Sequence, residues 1–171
     1  YYVIRDVSGF KKIITTKNIS KDTEYRDNLK FEFRFYKEEE EIRLIQDLFI
    51  LINTLSPDFM IAWNMAFDVP YIIERCNVLG YDPAEILSDP DYEEKYAEYF
   101  IDTIHGVEYE ARGDYYNIAS NTVYLDQLIH FASRRKNQSQ FPDFKLDTAG
   151  SIIAGVRKLN YSHITTQISK L

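Results

Sequence analysis

The first part of the chain alternates apolar and polar residues in the manner of β-strands. Residues 1–15 predict two short strands around a turn at Ser8 and Gly9, and residues 29–36 alternate with a period of two. The polar residues 17–28 between them are interpreted as a connection. The pattern therefore predicts three strands before residue 37.

A helical period follows. Four consecutive glutamates, Glu38 to Glu41, suit the positive end of a helix dipole, and apolar residues then recur every three or four positions. The apolar stripe comprises Ile45, Leu48, Phe49, Ile52 and Leu55. This spacing predicts an amphipathic helix with a solvated glutamate cap, rather than a metal site, at its start.

The next segment combines a continuous apolar run with a second helix. Residues 59–63 predict a central strand covered on both faces. Residues 69–80 predict a helix, with Pro70 in its first turn and Gly80 as its stop.

The rest of the chain, after residue 80, also alternates between predicted helices and predicted strands. Residues 82–99 are acidic and predict one or two short surface helices, and residues 105–119 predict a hairpin, so that about 82–120 forms an insertion. Residues 121–132 predict a strand that passes into a helix, and residues 144–156 predict a last helix. Strands that alternate with helices indicate an α/β or mixed sheet.

Composition narrows the class of protein. A chain of 171 residues with 45% hydrophobic and 15% aromatic residues is expected to fold as one domain, with no apolar run long enough for a membrane span. The net charge of −7 argues against nucleic-acid binding by the whole surface. The single cysteine, Cys76, excludes an intramolecular disulfide and fits a reducing compartment such as the cytoplasm. The histidines at positions 105, 130 and 163 lack metal-ligand spacing.

Asp68 stands where the apolar strand gives way to the helix, and two interpretations remain open. An aspartate two residues before Pro70 is an ordinary helix-capping signal. Alternatively, ligands bind outside the carboxyl ends of strands in open α/β sheets, where a carboxylate suits Mg²⁺ or Mn²⁺. In that position Asn64 can hydrogen-bond a sugar or phosphate, and Phe67 can stack on a base.

Residues 57–75, PDFMIAWNMAFDVPYIIER, resemble the second exonuclease motif of family-B DNA polymerases, in which Asn, two residues, an aromatic residue and Asp follow one another. Those positions are Asn64, Phe67 and Asp68 here. The preceding strand and amphipathic helix and the later residues 121–161 are also similar to that family, in the same order. The long segment before Asn121 resembles the phage or viral branch, or a bacterial polymerase.

The resemblance implies a ribonuclease H-like mixed sheet flanked by helices, and a 3′-5′ exonuclease that proofreads the primer end. It implies two metal ions, Mg²⁺ or Mn²⁺, that activate water and stabilise the departing 3′ oxygen. Asp68 would be catalytic and a metal ligand, while Asn64 and Phe67 would bind the single-stranded 3′ end of primer DNA. The net negative charge of the chain then fits a pocket that holds divalent metal ions, and the binding of duplex DNA would come from the remaining polymerase domains. The hairpin at 105–119 would lie near the primer–template junction.

The chain departs from the family pattern at the other two motifs. The first motif of the family is Asp-x-Glu after the central strand, and it has only weak counterparts here, at Asp22 to Glu24 and at Asp6. The third motif is Tyr-x-x-x-Asp, and no such pattern follows Tyr161. We therefore expect residues 1–171 to be a single partial domain of a longer polymerase that lacks its first, central strand and is inactive alone.

Two expectations follow from a missing central strand. Either residues 1–7 occupy the central place, or a second chain covers the open edge, as in a homodimer. The alternative function is a ribonuclease H-like module that has lost catalysis and only binds nucleic acid or protein.

Overall fold

The structure, a computed structural model, describes residues 2–5, 11–15, 23–26, 29–102, 108–135 and 141–157. These residues contain both strands and helices. The strands are β1 (Tyr2–Arg5), β2 (Lys11–Thr15), β3 (Thr23–Arg26), β4 (Leu29–Phe35), β5 (Phe59–Ala62), β6 (Ala97–Phe100), β7 (Tyr115–Ile118) and β8 (Val123–Asp126). The α-helices are α1 (Glu41–Leu55), α2 (Met65–Val78), α3 (Pro83–Leu87), α4 (Gln127–Arg135) and α5 (Leu146–Ala154). The predicted mixed α/β class is confirmed.

The first four strands form one sheet in the order β1-β2-β4-β3. Strand β1 is antiparallel to β2, β2 is parallel to β4, and β3 is antiparallel to β4. The predicted strands are confirmed, but treating residues 17–28 entirely as a connection was wrong because Thr23–Arg26 forms β3. Backbone pairing with β4 makes this strand despite its polar side chains.

The central place in this sheet does not belong to the first strand. Strand β1 lies at one end of the four-stranded order and pairs only with β2 among the described strands. The expectation that residues 1–7 occupy the centre is therefore wrong for Tyr2–Arg5, because β2 and β4 take the inner positions of the described sheet. Coverage by a second chain stays a prediction. Asp6 and Asp22 lie outside the described residues.

Helix α1 buries the predicted stripe. Its buried residues are Ile42, Leu44, Ile45, Leu48, Phe49 and Ile52. Leu55, predicted for the same stripe, is 48% exposed because it ends the helix. Three of the glutamates, Glu38–Glu40, form a 3-10 turn before α1, and the Glu40 carboxylate accepts the Lys37 backbone N–H at 3.1 Å. The glutamates therefore act at the helix start, as the sequence predicts.

Strands β5 and β8 pair with each other in a separate sheet. Backbone bonds run from Val123 N–H to the Asp58 carbonyl at 2.9 Å and from Leu128 N–H to the Trp63 carbonyl at 3.0 Å. The sequence separation is the same in both bonds, so the two strands run parallel. Among the described residues, no other strand pairs with β5.

The predicted coverage of β5 on both faces was wrong. Phe59 and Ile61 are exposed, whereas Met60 and Ala62 are partly buried. Val123 and Leu125 of β8 are exposed in the same alternating way. The apolar composition of this run predicts burial on both faces. In the described residues, however, β5 is a four-residue strand that pairs only with β8, and only one of its faces is partly buried.

Strands β6 and β7 form an antiparallel pair, with Ala97 opposite Ile118 and Phe100 opposite Tyr115. The predicted hairpin thus begins earlier than residue 105, because its first strand comes from the acidic segment. Residues 103–107 lie outside the described part of the connection. Helix α3 is the one helix that the described residues of 82–99 form.

A closed set of hydrogen bonds precedes β7. The Arg112 guanidinium donates two bonds to the Asp114 carboxylate, at 3.1 and 2.6 Å, and the Asp114 side chain has 0% exposure. The Asp102 backbone N–H donates to the same carboxylate at 2.8 Å, and the Gly113 N–H donates to the Asp102 carboxylate at 3.4 Å. These bonds fix both ends of the connection between β6 and β7.

The described chain forms two compact units, each with its own contacts. The first contains β1–β4, α1, most of α2, α3, β6 and β7, and the second contains α4, α5 and the 3-10 turn at Tyr109–Ala111. Strands β5 and β8 contribute residues to both. No helix in the described parts is long and apolar enough to cross a lipid bilayer.

The buried thiol of Cys76 gives a testable prediction. The side chain has 0% exposure, and burial, followed by the charge of Glu41, raises the pKa of Cys76 to about 11. We expect the native thiol to react with a thiol reagent at pH 8 roughly a hundred times more slowly than the denatured chain, because the thiolate is the reacting form. Equal rates in the presence and absence of denaturant would contradict this burial.

Candidate functional site

The candidate site begins where β5 ends. Trp63 and Asn64 form a turn between Ala62, the last residue of β5, and Met65, the first residue of α2. The Trp63 carbonyl is tied to α4 by the Leu128 N–H. Because β5 and β8 are parallel, both strands end, and both following helices begin, at the same edge of the pair.

An aromatic cluster holds the turn in place. The Trp63 indole N–H donates to the Phe144 carbonyl at 3.2 Å, and the Trp63 ring lies 5.3 Å from the Phe131 ring. Phe131 also packs edge-on against Phe141 at 5.2 Å, and the Arg135 guanidinium lies over both phenyl rings. The indole of Trp63 is therefore held by Phe131 and Phe144, which belong to the same compact unit as the turn.

The three predicted site residues, Asn64, Phe67 and Asp68, are all exposed. Asn64 directly precedes α2, and Phe67 and Asp68 lie in its first turn. A carboxylate in the first turn lies at the positive end of the helix dipole, where its negative charge is stabilised. The exposed placement suits contact with a ligand, and the roles of these residues stay predictions.

The start of α2 bears on the two interpretations of Asp68. The helix was predicted to begin at Val69, but it begins at Met65, so Asp68 is its fourth residue and Asn64 takes the position before the helix. Pro70 consequently lies inside the helix rather than in its first turn. The helix begins this early because the N–H of Ala66, its second residue, donates to an acceptor outside α2, the Asp126 carboxylate. The two interpretations of Asp68 therefore stay predictions, with Asn64 at the position that a capping residue would take.

An aromatic pair on α2 extends the site. The Phe67 and Tyr71 rings are stacked, with centroids 5.9 Å apart and an angle of 11° between their planes, and they are 63% and 55% exposed. The sequence motif indicates Phe67 as a site residue but not Tyr71. The spacing of four residues could have indicated it, because such residues are neighbours on a helix surface.

The other end of α2 is fixed to α1. The Arg75 guanidinium donates to both oxygens of Glu41, at 2.9 and 2.5 Å. The hydrogen bond and the charge of Glu41 raise the pKa of Arg75 above its ordinary value. A bidentate pair of this kind fixes orientation as well as distance, so the C-terminal half of α2 is held while its first turn stays exposed.

A second carboxylate, missed in the sequence analysis, lies at the end of β8. Asp126 is buried, and its Oδ1 accepts the Leu128 and Ile129 N–H groups at 2.8 and 3.3 Å. Its Oδ2 accepts the Ala66 N–H at 3.3 Å. The signal for Asp126 was its place between a strand and a helix, which is the same reason that Asp68 was considered.

The described residues do not form a complete metal site. No group of three or more His, Cys, Asp or Glu side chains among them is arranged to hold a metal ion. Asp68 could supply one ligand, and Mg²⁺ is usually bound by one or two carboxylates together with water and substrate oxygens. Of the histidines, His130 lies exposed on α4, and those at positions 105 and 163 lie outside the described residues.

Comparison with known proteins gives one family. Residues 2–148 match the family described as DNA polymerase family B, exonuclease domain. A search of curated proteins found no match. The match covers most of the chain and includes β5, α2, β8 and α4, the elements that form the candidate site. The chain belongs to the exonuclease domain family of family-B DNA polymerases.

Proposed function

We propose that this chain is the part of a family-B DNA polymerase that removes mispaired nucleotides from the primer in the 3′→5′ direction. The observation that carries the proposal is the exposure of Asn64, Phe67 and Asp68 around the first turn of α2, at the exit of a strand in a parallel pair. The family match supplies the reaction class. The exposed placement suits a ligand that approaches from solvent.

Each site residue has a chemistry that suits this substrate. Phe67 presents an exposed ring on which a terminal base can stack, as single-stranded ends are bound in other proteins. Asn64 offers an amide donor and acceptor to sugar or phosphate oxygens. Asp68 supplies a carboxylate oxygen for a divalent ion, Mg²⁺ or Mn²⁺. The three residues would therefore bind the last nucleotides and contribute to the metal-holding group.

The metal-ion chemistry needs more carboxylates than Asp68. Two ions in the complete site would supply the activation of water and the stabilisation of the leaving oxygen. Because the described residues do not complete such a site, we propose that its other ligands lie outside them. A polymerase without any nuclease activity would instead favour a ribonuclease H-like binding module.

The role of Asp68 can be tested in the polymerase that carries this domain. We expect Asp68→Ala to lower the 3′→5′ hydrolysis rate on single-stranded DNA by several orders of magnitude, because a metal ligand is lost. The free energy of unfolding should change by no more than about 1 kcal/mol, the usual contribution of an exposed first-turn carboxylate.

The matched control for Asp68 is Glu74→Ala, which removes another exposed carboxylate from α2, away from the first turn. It should leave the hydrolysis rate unchanged. If Asp68→Ala and Glu74→Ala retained the same near-native rate, Asp68 would have only a structural role.

The stacking role of Phe67 has its own test. Phe67→Ala should weaken binding of a single-stranded 3′ end by about 1–3 kcal/mol, the usual contribution of a base stacked on an aromatic ring. The measurement is KM in the nuclease assay, or fluorescence anisotropy of a labelled oligonucleotide. Val78→Ala is the control, since Val78 lies on the same helix and is also 63% exposed. An unchanged KM in Phe67→Ala would exclude stacking on this ring.

The isolated chain of 171 residues is expected to cleave DNA negligibly. The reason is that a single carboxylate rarely holds Mg²⁺ without other partners. Incubation of the purified chain with single-stranded DNA, with and without Mg²⁺ or Mn²⁺, tests this expectation. Strong metal-dependent digestion would show that the chain contains a complete site.

A further inference from the structure

We infer that Asp126 is a positioning residue for the proposed nuclease site, which it serves by holding the first turn of α2 against the start of α4. The inference rests on the proposed function of Asp68. It concerns a carboxylate that does not itself need to contact DNA or metal.

The geometry of Asp126 differs from that of an ordinary helix cap. As the residue before α4, Asp126 accepts with Oδ1 from Leu128 and Ile129, the second and third residues of that helix. This is the usual capping pattern. Its other oxygen, Oδ2, accepts from Ala66, the second residue of α2. One buried carboxylate therefore binds the first turns of two different helices.

The first turn of α2 has a particular need for this bond. The N–H groups of a helix's first four residues have no partner within the helix, and Ala66 carries one of them. The carbonyl of Ala66 is also without its usual helical partner, because Pro70 has no N–H to donate. Residue 66 thus depends on outside contacts to keep its place in the turn, and Asp126 provides one.

The position of Ala66 in the chain gives the bond its functional importance. Phe67 and Asp68 follow Ala66 directly, and Asn64 precedes it by two residues. A shift of reacting groups by about 1 Å can reduce an enzyme's rate about a hundredfold. Because Asp126 fixes the residue next to these side chains, it should affect the rate of the chemical step more than the binding of DNA.

The substitution Asp126→Asn separates the two bonds of this carboxylate. Asparagine caps helices as well as aspartate does, so the bonds from Leu128 and Ile129 can be kept. The other side-chain atom becomes an NH₂ group, which would face the Ala66 N–H as a second donor. Asp126→Ser gives an independent variant, because serine caps a helix but is too short to keep a second bond on the opposite side.

The matched control is Asp82→Asn. Asp82 caps α3 through a single described bond from the Ala84 N–H at 2.9 Å, and it lies outside the candidate site. The same chemical change therefore removes a charge from a helix cap without breaking a bond between two helices. This control should leave nuclease activity unchanged.

Amide hydrogen exchange of the 171-residue chain tests the bond without reference to activity. In Asp126→Asn and Asp126→Ser, exchange of the Ala66 amide should accelerate about tenfold, as expected for the loss of one hydrogen bond. Exchange at Leu128 and Ile129 should stay within about twofold of wild type, because their cap is retained. An unchanged Ala66 amide would overturn the inference.

Nuclease kinetics of the polymerase test the positioning role. We expect kcat to fall about ten- to a hundredfold in both variants, with KM for single-stranded DNA within about twofold of wild type. A merely structural cap would lower the unfolding midpoint and leave the kcat of the folded protein unchanged. If the wild-type polymerase is active and the Asp126 variants keep its full kcat, the inference is overturned and the proposed function is not. An inactive wild-type polymerase would overturn the proposed function, and the inference with it.

Discussion

The parallel pairing of β5 with β8 is the constraint on which the candidate site depends. Backbone bonds at both ends of the pair fix the register, from the Val123 N–H to the Asp58 carbonyl and from the Leu128 N–H to the Trp63 carbonyl. Parallel strands leave the sheet at a common edge, so the helices that follow them must both begin there. The exposed side chains at the start of α2 are therefore placed by main-chain bonds, which do not depend on the identity of those side chains.

Helix α2 combines a fixed frame with an open surface. Its C-terminal half is held by the Arg75–Glu41 pair and by the burial of Cys76, and its first turn is held through Asp126. Between these contacts, Phe67 and Asp68 stay exposed. This division is what a binding site on a helix requires, because side chains that meet a ligand must be available while their backbone stays in place.

Sequence patterns predicted the elements well and their boundaries less well. The period of α1, the strand at Leu29–Phe35 and the passage from β8 to α4 were all visible as spacing. The strand at Thr23–Arg26 was not, because most of its side chains are polar and it forms by backbone pairing with the neighbouring strand β4. The start of α2 was missed for a different reason, since the Ala66 N–H finds its acceptor sixty residues later at Asp126. Asn64, Phe67 and Asp68 were identified from a local motif. Asp126 also stands between a strand and a helix, but its bond to Ala66 could be found only from knowledge of which strands pair.

The bonds among Asp102, Arg112 and Asp114 have a consequence for partners of another kind. The triplet Arg112-Gly113-Asp114 has the sequence of the motif by which some extracellular proteins bind cell-surface receptors. A receptor of that type needs the arginine and the aspartate to extend separately towards it. Here the guanidinium and the carboxylate bind each other, and the aspartate side chain is wholly enclosed. The Arg112 and Asp114 side chains are therefore paired with each other, and they do not extend separately as such a receptor requires.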